Sequence, residues 1–166
     1  MYTVVILAEQ RLSAADAAAI VALHDQLDGP RRYHLLIPCE NAAVRVETAL
    51  GSIAASEVLA APPVLATDID VRQAQEEIDE HAGNDVERSV SALNLAGHEA
   101  AGEFSSDDPV EALERVVAEQ HAAEVVVVTR PHVVAEFLHI DWTAKARRHI
   151  GVPVLHLVEQ VDRSAS

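Results

Sequence analysis

Four short runs of β-branched and aliphatic residues, each separated from the next by stretches of helical periodicity, constrain this sequence most: Thr3 to Ala8, Tyr33 to Cys39, Glu124 to Thr129 and Val152 to Val158. Each is too short for a typical helix and too continuously apolar for a strand with one wet face, so each predicts a strand covered on both sides. Glu99 to Phe104 adds a weaker strand. Strands that alternate with helices require right-handed crossovers and hence a parallel sheet with helices on both faces. The expected fold is α/β, a single-domain, Rossmann-like, five-stranded parallel sheet over residues 1–160, with 161–166 as a flexible tail.

The helices carry their own punctuation. Ser13 is placed as an N-cap with Asp16 three residues on, and Ile20, Leu23 and Leu27 predict a helix that Gly29-Pro30 stops. From Val71 to Leu93 the apolar positions Val71, Ala74, Ile78, Ala82, Val86, Val90 and Leu93 recur every three or four residues, the pattern of one long amphipathic helix with a bend at Gly83-Asn84. Asp108-Pro109-Val110-Glu111 supplies a cap, a proline at the first helical position and a glutamate suited to a capping box, for a helix to about His121. Asp141 caps a last helix that ends on Arg147, Arg148 and His149 before Gly151, the order of charge that a helix dipole favours. Residues 40–67 predict a connection with one helix, broken at Pro62-Pro63.

Charge and composition limit the function. The chain has 12 basic and 27 acidic residues, a net charge of −15, which disfavours nucleic acid and anionic membranes as partners. Eight of the acids fall between Asp68 and Arg88 and predict a solvated helix face. A single cysteine, Cys39, forbids an intramolecular disulfide, and no run approaches the roughly 20 apolar residues of a membrane span. With no basic segment ahead of the first strand, the expected location is cytoplasmic.

Two segments carry a family resemblance. Asp107-Asp108-Pro109-Val110-Glu111-Ala112-Leu113 with Ala123-Glu124-Val125-Val126-Val127-Val128-Thr129-Arg130, and Arg148-His149-Ile150-Gly151-Val152-Pro153-Val154-Leu155, resemble the third-strand exit, fourth strand and closing strand of the universal stress protein family. The resemblance implies strand order 3-2-1-4-5 and a dimer, and some members bind ATP. Those that do carry a glycine-rich phosphate loop after the fourth strand. Here Thr129 to Asp141 contains no glycine, and the carboxylate of Asp141 stands where a phosphate would. The family's first-strand aspartate is matched by Glu9, with Gln10 where glycine is usual.

The resulting expectation is a dimeric, regulatory stress-response protein that binds a small ligand or a partner protein, with no cofactor. ATP in the family's usual mode is not expected, although adenine can dock on strand ends without the phosphate contacts. The alternative is a nucleotide-binding or nucleotide-hydrolysing enzyme using Glu9, His132, His139 or Asp141. Either way the ligand site falls where connections reverse direction between the first and fourth strands, from Glu9, Gln10, Cys39, Thr129, Arg130, His132 and Asp141. His132, Glu136 and His139 share one side if helical, but a proline before them argues against a metal site. Cys39 has no base nearby to activate it and is expected to be a small apolar residue at a strand end. Trp142 is expected to anchor the last helix. His24, His81, His98 and His121, near helix ends or on polar faces, are expected to be solvated. The apolar last strand is expected to cover its open edge with a second copy, through Val152, Val154, Leu155, His156, Leu157 and Val158.

Overall fold

The computed structural model describes residues 1–40, 68–130 and 148–159. Five strands, β1 (Tyr2–Ala8), β2 (Arg31–Pro38), β3 (Glu99–Ser105), β4 (Glu124–Thr129) and β5 (Val154–Val158), form one sheet in the order β3-β2-β1-β4-β5. Every pairing is parallel: Val4 lies opposite Tyr33 on one side and Glu124 on the other, and Val126 opposite Leu155. This is the expected Rossmann-like α/β architecture.

The continuous apolar runs are explained by a sheet buried on both faces. Val4, Ile6 and Ala8 of β1 join Tyr33, Leu35, Val126 and Val128 on one face, under helices α1 (Ala14–Ala22) and α2 (Asp68–Leu95). Val5 and Leu7, the alternate positions, join Leu36, Val125 and Val127 on the other, under α3 (Pro109–Gln120) and Ile150. A two-residue repeat places neighbours on opposite faces, so a strand needing cover on both must be apolar throughout.

Helix starts follow their caps. Ser13 and Asp16 form a complete capping box, and Asp108 accepts from the amides of Val110 and Glu111 ahead of a helix that ends on His121 at φ 50°. α2 is longer than its periodicity indicates and is helical throughout, Gly83 and Asn84 included. It passes close to β3, where a Cβ on Gly102 would stand 3.0 Å from Val86 Cγ1 and 3.1 Å from the Leu35 carbonyl.

Four sequence expectations are corrected. α1 stops at Ala22, and Leu23 and Leu27 are exposed instead of continuing its apolar face. The physical reason is His24, which leaves the helix to bury its ring, so it is not solvated. His98 is not fully solvated either, because its ring packs edge-on against Tyr33. The last strand opens at Val154 rather than Val152, since Pro153 lends only its carbonyl, to the Val125 amide at 2.9 Å. His81 and His121 are exposed as expected. The proposed helix within 40–67, the cap at Asp141 and Trp142 lie outside the described residues. Among the described residues no helix is long and apolar enough to cross a membrane.

Candidate functional site

Parallel strands bring all their carboxyl ends to one edge of the sheet, and a helix that feeds the next parallel strand must begin at that edge. α2 therefore sets its first half beside the ends of β1, β2 and β4, and a crevice of about 710 Å³ opens between them. Ile37 and Pro38 of β2 form its apolar side with Ala74, Ile78 and Ala82, a stripe of α2 at four-residue spacing. Glu9 and Gln10 follow β1, Cys39 and Glu40 follow β2, and Arg130 follows β4. Glu77, His81 and Asp85, the adjacent stripe of α2, complete the wall. A volume of this size suits a small organic ligand.

Four residues expected from sequence, Glu9, Gln10, Cys39 and Arg130, meet in this crevice. The Arg130 amide donates to Glu9 Oε2 at 3.4 Å, linking the ends of β4 and β1. Gln10 Nε2 donates to both carboxylate oxygens of Glu159 at 2.9 and 3.0 Å, and the Glu159 amide donates to the Thr129 carbonyl. That strap crosses the end of β4. Thr129 itself is fully buried, and its hydroxyl lies 2.7 Å from His156 Nε2 on β5, outside the set that lines the crevice. His132 and Asp141, with Glu136 and His139, lie outside the described residues. Among the described residues no group of three or more histidine, cysteine or acidic side chains is placed to hold a metal.

Burial pushes the Cys39 thiol above its ordinary value, and the carboxylate of Asp79 pushes it further. The thiol therefore stays protonated near neutral pH and is a poor nucleophile. His81 Nε2 is 3.5 Å from Asp85 Oδ2 one turn along the helix.

Sequence reasoning missed the contribution of α2. Its acids were expected to be a solvated face, and Glu76, Glu77 and Glu80 are exposed, but Glu77 also lines the crevice together with the half-buried Asp85. A signal was present: Glu77, His81 and Asp85 lie at four-residue spacing directly beside the apolar stripe Ala74, Ile78 and Ala82. Residues flanking a buried stripe sit at the boundary between core and solvent.

Nearly the whole chain can be superposed on solved structures. The hypothetical protein MJ0577 matches with a TM-score of 0.64 over 97% of this chain and 98% of its own, at 14% identity. A universal stress protein from Archaeoglobus fulgidus matches with a TM-score of 0.53 over 94% of this chain and 93% of its own, at 13% identity. A universal stress protein family protein from Arabidopsis thaliana, with AMP bound, gives 0.54 over 99% and 96%, at 15% identity. This chain has the universal stress protein fold. No protein-family model and no curated protein matches the sequence itself. The universal stress protein fold is thus carried here by a sequence far from those of its structural neighbours.

Proposed function

We propose that this protein is a non-catalytic, dimeric, stress-response protein of universal stress protein type that takes a small ligand in the crevice at the ends of β1, β2 and β4. The observation that carries the reading is the crevice itself, with an apolar stripe backed by polar groups from four separate elements. A shared fold does not fix function, so the argument rests on the site. A Cys39 nucleophile is disfavoured, because burial and Asp79 raise the thiol above its ordinary value. An adenine nucleotide is the second reading, favoured by the AMP-bound neighbour from Arabidopsis thaliana. Against its usual mode stands the segment Thr129 to Asp141, which has no glycine to shape a phosphate loop.

Dimerisation is proposed through β5. It is an edge strand, and Leu155 and Val158 on it are exposed. An apolar open edge invites pairing, and a two-fold copy satisfies it.

The test is native mass spectrometry of purified protein, followed by identification of any bound small molecule. Replacing Ile78 by Trp fills the crevice and is expected to abolish binding while leaving the fold intact. Ligand retention by the Ile78→Trp protein, with unchanged affinity, would place the site elsewhere.

A further inference from the structure

The charge of the crevice bears on what it accepts. Carboxylates reach it from three separate parts of the chain: Glu9 after β1, Glu40 after β2, and Glu77 and Asp85 on α2. Arg130 is the single guanidinium among the described lining residues. Apolar walls at Ile37, Ile78 and Ala82 reduce solvent screening, and a cleft of one sign between such walls focuses its field. The net charge of −15 has the same sign. A phosphate group entering here meets like charges, and a cation is drawn in.

A second observation concerns Arg130. Among the described residues its Nε, which is buried, has no hydrogen-bond partner. As a lining residue, its guanidinium can donate to an oxygen acceptor on a ligand through its terminal nitrogens. Glu9 already accepts the amide of the same residue.

On the reading that the crevice is a ligand site, we propose that it selects a small organic cation over a nucleotide: an amine facing Glu77 and Asp85, an apolar body along Ile37 and Ile78, and a carbonyl or hydroxyl oxygen on Arg130. The helix supplies the charge selection and the end of β4 supplies the orientation.

Titration calorimetry at low salt with phenylalaninamide, which has an amine, an apolar ring and a carbonyl, tests this against adenosine and AMP. Phenylalaninamide is expected to bind more tightly than AMP, and Glu77→Gln/Asp85→Asn to weaken it about ten-fold, as removal of two partly screened charges should. Glu9→Gln, on a different element, is expected to weaken it less. Glu76→Gln/Glu80→Gln removes two exposed charges of α2 that do not line the crevice, and is expected to change nothing. Equal weakening by both double variants would trace binding to the overall charge and overturn the proposal. AMP binding more tightly than the amine, and lost in Ile78→Trp, overturns the selectivity while leaving the crevice as the ligand site. Binding of none of the three overturns both.

Discussion

His24 and Glu124, one hundred residues apart, meet in the interior at the amino ends of the strands, where His24 Nε2 faces Glu124 Oε1. His24 is 2% exposed and Glu124 8%. Each partner is held by further bonds. His24 Nδ1 donates to the Ile20 carbonyl at 3.1 Å, with the Tyr33 hydroxyl 3.2 Å away, and the Tyr2 hydroxyl donates to Glu124 Oε2 at 2.9 Å. Arg31 Nη1 donates to the His24 carbonyl. The network ties the end of α1 to the first residues of β1, β2 and β4, at the edge of the sheet opposite the crevice.

Removing one partner strands the other in the core. Glu124→Leu is expected to cost about 3 kcal/mol, since an uncompensated buried polar group is worse than an apolar pair. The double variant His24→Leu/Glu124→Leu is expected to cost less than the two single changes added together. Urea unfolding of the three variants measures both numbers, and strict additivity would show that the two residues act independently.

His34 gives a pH dependence. It is buried on β2, its Nε2 has no hydrogen-bond partner among the described residues, and Glu103 Oε2 is 3.7 Å away. Burial lowers its affinity for a proton below the ordinary value of 6.5; Glu103 and Glu119 oppose that shift, and Arg115 adds to it. As pH falls through 6.5 the unfolded chain takes up a proton that the folded chain resists, so stability drops on acidification. Between pH 7 and 5 the wild type is expected to lose more melting temperature than His34→Asn. Parallel profiles for the two proteins would contradict this.

Gly102 sits where α2 closes on β3. A Cβ there meets the Leu35 backbone as well as two side chains at 3.0 to 3.1 Å, and backbone cannot rotate away. Gly102→Ala is expected to destabilise by about 2 kcal/mol through overpacking, measured by chemical denaturation.

If β5 pairs with its own copy, a charge on its exposed surface breaks the pairing. Leu155 is 42% exposed, so Leu155→Glu has little to disturb within one chain. Sedimentation is expected to show a dimer for the wild type and a monomer for Leu155→Glu at micromolar concentration.

By itself the sequence determined the fold class, the sites of all five strands and the starts of α1 and α3. Those features are local: an apolar run states that a strand is covered on both faces, and Ser13 or Asp108 satisfies amides two or three residues away. It also marked Glu9, Gln10, Cys39 and Arg130, because strand ends on a parallel sheet are legible once the strand order is known. Only the tertiary structure decided that α2 turns Glu77 and Asp85 toward those ends, that Thr129 bonds sideways to His156, and that His24 leaves its helix for the core. In each case the partner lies on another element, up to one hundred residues away. Periodicity names the apolar stripe of a helix but not which neighbour its flanks will face; that is set when the elements pack.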